Sequence, residues 1–200
     1  MLWWHRGKAT RDRKLDCSCR TEDASCCLQT TQTSTEIYSS WFTEGFVFED
    51  LTCEAGWEQH GGNCYYFSTS KSSWTDSRRS CTDLGSDLVK IDSREEQMFL
   101  ESRLRGLMED NEDKFWIGLT DSVEEGRWFW VDGSALDQSL SFWYQKEPDD
   151  WKTENPAGED CVRMGERGGS QDLRCWFDKA CNGTQKSICE KPAAPSYPCV

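Results

Sequence analysis

The chain has no long apolar run. Its 200 residues include no stretch of 18 consecutive apolar residues, so we expect no segment of this chain to span a bilayer. The first eight residues lack the apolar core of a signal peptide, so either the true N-terminus is missing or the first fifty residues are not the natural leader. A mean hydropathy of −0.80 and a hydrophobic content of 36% predict a modest core.

Positive charge is also scarce. Lysine and arginine number 23 against 36 aspartates and glutamates, which gives a formal net charge of −13. Because such a chain is repelled by nucleic acid and by anionic membrane surfaces, we expect neither as a partner. The same excess of carboxylates suits a protein that binds cations.

Zinc-type cysteine spacing is absent, although the chain contains 12 cysteines. A reduced cytosolic protein without metal rarely carries so many, so the simpler interpretation is a disulfide framework formed in an oxidising compartment. We therefore predict an extracellular protein, either secreted or the ectodomain of a receptor whose anchor lies outside this chain.

The sequence divides into three parts. Residues 1–50 are rich in serine, threonine and charge, show no helical, strand or heptad period, and contain Cys17, Cys19, Cys26 and Cys27. These cysteines fit an interchain disulfide stalk or a small metal knot, but the composition favours an irregular, disordered leader. Residues 51–192 carry the patterns of one folded domain. Residues 193–200 are rich in proline and alanine, and we expect a flexible tail.

Helix and strand signals alternate within residues 51–192. Ser73 is expected to cap a first helix that ends at Gly85, with Trp74, Cys81 and Leu84 on its inner face. A capping box at residues 93–96 begins a second helix, whose inner face carries Leu100, Leu104 and Leu107. Apolar runs predict strands at residues 65–67, 88–91, 115–119, 128–131, 161–164, 173–177 and 187–189. Six of the eleven tryptophans are expected in the core: Trp74, Trp116, Trp128, Trp130, Trp143 and Trp176.

The most informative stretch is Glu147-Pro148-Asp149-Asp150-Trp151, followed closely by Gly158-Glu159-Asp160-Cys161. Together they contain five carboxylates and one tryptophan, in a segment with few signs of regular structure. A loop of that length inside a compact domain is usually functional. Carboxylate oxygens are preferred ligands of Ca²⁺, and a tryptophan offers the flat apolar face that a sugar ring requires. We therefore predict a Ca²⁺ site that holds a glycan.

Taken together, these elements resemble a C-type lectin domain over residues 53–191, of the kind found as carbohydrate-recognition domains in asialoglycoprotein and mannose receptors. The resemblance rests on the two helices and on Trp116-Ile117-Gly118-Leu119, Glu147-Pro148-Asp149, Glu159-Asp160-Cys161, Trp176-Phe177-Asp178 and Ile188-Cys189-Glu190. It implies an α+β fold in which two helices accompany antiparallel sheets and a long calcium-binding loop. It also implies three disulfides: Cys53–Cys64, Cys81–Cys189 and Cys161–Cys181. Cys175 and Cys199 then either form a further bridge, or Cys199 links two chains.

The resemblance also assigns metal ligands. It places Glu147, Asp149, Glu159 and Asp178 around the sugar-binding Ca²⁺, with Pro148 as the family's cis-proline, and puts Trp151 where galactose-binding members stack a tryptophan on the sugar. A second, structural Ca²⁺ site corresponds to Asp121, Glu125, Asp150 and Asp160.

Two departures from the family pattern affect the sugar. The family usually has Trp-Asn-Asp where this chain has Phe177 in the middle, and residues 166–172 form an apparent insertion. Glu-Pro-Asp at residues 147–149 matches neither the mannose-type Glu-Pro-Asn nor the galactose-type Gln-Pro-Asp. Because carboxylates only accept hydrogen bonds, the predicted site has no donor of its own. The donor could come from Lys152, Asn155, Gln171 or a water, and Gln171 or Asp172 could replace the lost metal ligand.

The predicted function is calcium-dependent binding of glycans or glycoproteins, with galactose-type and mannose-type specificity both open. The alternative is a C-type-lectin-like module that binds a protein ligand and has lost or weakened its sugar site. No enzymatic activity is expected, because acids clustered around a metal cannot act as a free acid and base pair. Single-site glycan binding is weak, so a disulfide-linked or avidity-driven oligomer is expected. Asn182 begins a glycosylation sequon.

Overall fold

The computed structural model describes residues 51–153, 155–170 and 172–195. The predicted leader with its four cysteines, Gln171 and Cys199 lie outside these residues. Within them the chain forms two helices, ten strands and one 3₁₀ turn: β1 Leu51–Thr52, β2 Glu58–His60, β3 Asn63–Phe67, α1 Trp74–Asp83, β4 Asp87–Leu88, α2 Arg94–Leu107, β5 Phe115–Thr120, β6 Phe129–Trp130, the turn Gln138–Leu140, β7 Cys161–Met164, β8 Trp176–Lys179, β9 Lys186–Pro192 and β10 Ala194–Pro195. The predicted α+β class is confirmed.

Helix α1 begins where local chemistry predicts. The Ser73 side chain accepts a hydrogen bond from the Asp76 amide at 3.2 Å, which satisfies one of the helix's unpaired amides. Trp74 and Cys81 are buried, but Leu84 is 46% exposed, contrary to the prediction. The helix ends at Asp83, so Leu84 has already left the helical face when the chain turns at Gly85, whose φ is +68°.

Helix α2 uses a variant of the predicted capping box. Ser93 accepts from the Glu96 amide at 3.1 Å, whereas the Glu96 carboxylate reaches back one residue further, to the amide of Asp92 at 2.8 Å. Leu100 and Leu104 are fully buried, and Leu107 packs partly buried against the same core. The apolar stripe therefore fixes the helix against the sheet.

Eight of the described strands form one sheet with the path β2-β3-β9-β5-β7-β8, to which β4 adds on β9 and β6 on β5. All of its pairings are antiparallel except β5 with β9. Strands β1 and β10 form a separate antiparallel pair, in which Leu51 lies opposite Pro195. Residues 194 and 195, which we assigned to the flexible tail, are thus paired as strand, because the chain returns beside the start of the domain.

The core is rich in indole rings. Five of the six tryptophans predicted there are at most 9% exposed, and Trp143 is partly buried against them. The buried N–H groups are satisfied: Trp74 donates to the Ile117 carbonyl at 2.8 Å and Trp176 to the Gln97 side chain at 3.0 Å. Because their N–H groups have hydrogen-bond partners, these large rings can be buried, and they remove a large apolar area from water in a small domain.

Three disulfides join Cys53 to Cys64, Cys81 to Cys189 and Cys161 to Cys181, the pairs that the resemblance implies. Cys175 is a free thiol with no exposed surface, and burial raises its pKa to about 12.

The strand predicted at residues 173–177 is displaced. Leu173 has a φ of +67°, a left-handed conformation that interrupts an extended chain, so β8 begins only at Trp176. Strand β8 ends at Lys179, so Asp178 and Lys179 lie within a strand.

Two neighbouring carboxylates, Glu96 on α2 and Glu190 on β9, make the stability of the domain depend on pH. Burial, followed by repulsion from Glu96, raises the pKa of Glu190 to about 7, although Glu190 accepts hydrogen bonds from the Asn63 side chain and from the Lys90 amide. An acid with a raised pKa holds its proton more tightly in the folded than in the unfolded chain. Its contribution to stability therefore grows as pH falls from above 7 toward the unfolded value.

We expect Glu190→Gln to flatten this dependence. The free energy of unfolding of the wild type should rise by about 1–3 kcal/mol more than that of the variant between pH 8 and pH 5. Denaturant unfolding at a series of pH values, with disulfides intact, measures the difference. Glu95→Gln, an exposed glutamate on α2, is the matched control and should follow the wild type. If the free energy of unfolding changes equally with pH in the wild type and in Glu190→Gln, Glu190 is not the source of the pH dependence.

Candidate functional site

The long segment between β6 and β7 carries the acidic stretch. Within its described residues, the 3₁₀ turn Gln138–Leu140 is the only helical element. The Glu147–Pro148 peptide bond is cis, and the φ of Asp150 is +46°. Strand β8 fastens this part of the loop, since the Asp178 carboxylate accepts from the amides of Asp149 at 3.2 Å and Asp150 at 2.8 Å. The loop carboxylates are therefore held beside a strand of the sheet.

Glu147, Asp149 and Asp178 form a first carboxylate group, with one oxygen of each within 4.8 Å of the others. Burial, followed by the neighbouring Asp178 and Asp149 carboxylates, raises the pKa of Glu147 to about 8. Like charges this close cannot all ionise without a compensating cation. A divalent cation among hard oxygen ligands fits this group and would take the place of the proton.

Glu125, Asp150 and Asp160 form a second carboxylate group on the same distance criterion. Asp121 lies next to it, because its amide donates to the Asp160 carbonyl at 3.1 Å. The Asp121 side chain is buried, and burial raises its pKa to about 6. One of its oxygens accepts from the Gly126 amide, while the other is buried with no hydrogen-bond partner among the described residues. An orphaned buried carboxylate oxygen beside three other carboxylates fits a cation ligand.

Gly158 and Lys152 both contact Asp150 in this second group. Gly158 has a φ of +102°, and a Cβ at this position would collide with the Asp150 carboxylate, so glycine is required there. The Lys152 ammonium lies 2.7 Å from the other Asp150 oxygen. Lys152 therefore belongs to the second group and not to the first, where we suggested it as a donor.

An open pocket of about 370 Å³ adjoins the first carboxylate group. Its lining includes every residue predicted to bind sugar and four that were not predicted, of which three are charged: Glu112, Glu147, Asp149, Trp151, Glu159, Arg163, Phe177, Asp178 and Lys179. Phe177 stands where the family has asparagine, Glu112 comes from the loop before β5, and Arg163 and Lys179 are missed because their positions depend on strand register. Arg163 lies opposite Phe177 across β7 and β8, and strand alternation puts Lys179 on the same face as Phe177.

Glu159 lines the pocket but is not part of the first carboxylate group. Its side chain is 6% exposed, and its Oε1 lies 3.0 Å from the Lys179 ammonium. The same ammonium lies 5.7 Å from the centre of the Trp151 ring, which is 45% exposed. The predicted stacking tryptophan is thus displayed at the pocket, next to a cation that the sequence did not assign.

Phe177 occupies an aromatic and cationic environment. Its ring centre lies 4.9 Å from that of Tyr144 and 4.1 Å from the Lys114 ammonium. The Asn155 amide, another donor that we suggested, is used locally by the Gly158 carbonyl at 3.3 Å. Neither residue supplies a polar donor to the first carboxylate group.

The described part of the insertion docks on α2. The Ser170 amide donates to the buried Glu101 carboxylate at 2.9 Å, and Asp172 accepts from the Ser170 hydroxyl at 2.7 Å and from the Arg174 amide at 3.3 Å. Asp172 therefore does not replace a ligand at the first carboxylate group, contrary to our suggestion. Asn182 is exposed in the turn between β8 and β9, and its glycosylation stays a prediction.

Comparison with protein families gives one domain match: the lectin C-type domain model matches residues 70–191. C-type lectin domain family 4 member E of Homo sapiens is 41% identical over 138 residues, which cover 69% of this chain and 58% of that protein. The matches to the first three relatives span 22%, 60% and 58% of their own lengths.

Solved structures share the fold. The mouse scavenger receptor C-type lectin carbohydrate-recognition domain superposes with a TM-score of 0.61 at 34% identity, covering 72% of this chain and all of that one. A calcium-independent type II antifreeze protein superposes with a TM-score of 0.58 at 27% identity, covering 74% of this chain and 99% of that one. The same scaffold thus occurs in a protein that is independent of calcium.

Proposed function

Because the chain belongs to the C-type lectin domain family, we propose that it binds glycans in a calcium-dependent manner through the first carboxylate group. The observation that carries this proposal is the approach of Glu147, Asp149 and Asp178 to within 4.8 Å of one another in the lining of an open pocket. These residues come from a loop and a strand that are distant in the sequence. Their convergence supports a site rather than a solvated acidic surface.

The residues divide into two roles. Glu147, Asp149 and Asp178 would hold the cation of the sugar site, with Glu159 beside them, and Glu125, Asp150, Asp160 and Asp121 would hold a second cation that fixes the loop. Calcium, when bound, offers coordination positions to sugar hydroxyls. The carboxylates accept hydrogen bonds from those hydroxyls.

Trp151 supports contact with the apolar face of a sugar ring. It lines the pocket, and 45% of its surface is exposed, so the ring is not buried in the core and is accessible to a ligand. A ring presented in this way favours a galactose-type ligand, whose apolar face is flat, whereas Glu147 keeps the glutamate of the mannose-type motif. Both sugars therefore belong in the test.

The setting that suits this function is extracellular, as the three disulfides favour. No helix in the described ranges is both long and apolar enough to cross a bilayer. Because one shallow site binds a sugar weakly, several copies of the domain acting together would give useful affinity for glycoproteins. The function is recognition rather than catalysis.

A second candidate is a module that binds a protein ligand without calcium. Phe177 favours it, because the ring packs on Tyr144 and Lys114 and offers no amide to metal or sugar. The calcium-independent antifreeze protein has a similar fold, so this scaffold can exist without dependence on calcium.

A glycan array probed with the full chain separates the two candidates. We expect galactose-bearing or mannose-bearing glycans to retain the protein in calcium and to release it in EDTA. A silent array from a protein that stays folded in calcium would overturn the lectin proposal and favour the protein-binding module.

A further inference from the structure

The first carboxylate group lacks a hydrogen-bond donor. A sugar hydroxyl on a cation has one hydrogen to donate and can accept from a second protein group. Glu147, Asp149 and Asp178 can only accept, and Phe177 can do neither. A complete sugar contact needs one side chain that accepts and one that donates.

Lys179 and Glu159 supply both properties in one place. Their charged atoms lie 3.0 Å apart, and their side chains are 19% and 6% exposed, so solvent screens this ion pair little. Both line the pocket that also contains the first carboxylate group and Trp151. Lys179 lies two positions after Phe177 along β8, so strand alternation puts it on the face that the phenylalanine occupies.

We propose that the Lys179–Glu159 ion pair is the specificity-determining sugar contact of this domain. Lys179 donates to one hydroxyl and Glu159 accepts from its neighbour, which suits two adjacent hydroxyls of a neutral hexose. The pair also draws Glu159 away from the cation, which is then held by the three members of the first carboxylate group. This inference rests on the proposed lectin function.

The pair explains how Phe177 is tolerated. In a site without Lys179, an aromatic ring at position 177 would leave Arg163 as the only cationic side chain among the described residues of the pocket lining, and Arg163 is already paired with the Glu112 carboxylate at 2.9 Å. Here the Lys179 ammonium lies 5.7 Å from the centre of the Trp151 ring and 3.0 Å from Oε1 of Glu159. A sugar that contacts Trp151 therefore has both a donor and an acceptor in the lining of the same pocket.

The experiment compares the full-length wild type with Lys179→Met, Lys179→Arg and the control Lys146→Met, which removes an exposed lysine beside Glu147 that does not line the pocket. Calcium affinity is measured by calorimetry, and binding to multivalent galactose and mannose polymers is measured at saturating calcium. Thermal melting checks that each variant is folded.

Lys179→Met should bind calcium more tightly than the wild type, because Glu159 is released to the cation. The same variant should bind the polymer that the wild type binds about tenfold more weakly, because it has lost a charge-assisted hydrogen bond. Lys179→Arg, which keeps a donor, should restore most of the polymer binding, and Lys146→Met should match the wild type. If the wild type binds a polymer and Lys179→Met binds it equally well, this inference is wrong and the lectin function stands. If the wild type binds neither polymer in calcium, the lectin function fails, and this inference fails with it.

Discussion

Replacing Asp178 by asparagine is expected to abolish calcium-dependent glycan binding. Asp178 has two tasks, since it belongs to the first carboxylate group and accepts from the amides of Asp149 and Asp150, which hold the loop against β8. An asparagine oxygen can accept one of these bonds, but its amide nitrogen cannot accept the other. The charge that a divalent cation requires is lost as well.

We expect calcium affinity at this site to fall on the order of 100-fold, since hydrogen bonds to charged groups contribute about 1.5–3 kcal/mol each and a direct ligand charge is removed besides. Calorimetric calcium titration and polymer binding measure the two losses. Asp83→Asn, which removes the same charge from the exposed end of α1, is the matched control and should leave both unchanged. Undiminished calcium affinity in Asp178→Asn would place the cation elsewhere.

Removing the Cys81–Cys189 disulfide should have the largest effect on stability. This bond joins α1 to β9, the strand that pairs with β3, β4 and β5, and it closes a loop across 108 residues of separation. In the chain-entropy account of disulfides, the free energy lost grows with the length of the closed loop, to about 4–5 kcal/mol at this separation. The double variant Cys81→Ala with Cys189→Ala should therefore be close to unfolded at 37 °C.

The Cys53–Cys64 bridge provides the comparison, because its partners are only 11 residues apart. Its double alanine variant should lose about 3 kcal/mol by the same account. Denaturant unfolding of the two double variants and the wild type gives both losses. Equal losses of unfolding free energy from the two bridges would contradict the inference that the longer closed loop restricts the unfolded chain more.

The fold was largely predictable because its determinants are local. The caps at Ser73 and Ser93 and the buried stripe on α2 depend on residues a few positions apart, and each occurs as expected. Displaced elements have equally local causes that the sequence does not display, such as the left-handed Leu173 that delays β8. The return of Ala194 to pair with Thr52 depends on the ends of the domain meeting, which no local pattern encodes.

The candidate site was predictable in part, for a different reason. Local physical chemistry does not bring Asp178 to Asp149, 29 residues earlier; that expectation came from the resemblance to a family. Where this chain departs from the family, prediction failed. Asp172 accepts a hydrogen bond from Ser170 within the insertion, and Lys152 pairs with Asp150 of the second carboxylate group. The Lys179–Glu159 pair became visible only once the strand register was known.

The most direct test of the account is a calorimetric calcium titration of the full chain, repeated with Asp178→Asn and Asp160→Asn. We predict two calcium ions per wild-type chain and one in each variant, because each substitution disables one carboxylate group. A wild-type chain that takes up no calcium, or variants that both keep two ions, would contradict the claim that these two groups are cation sites.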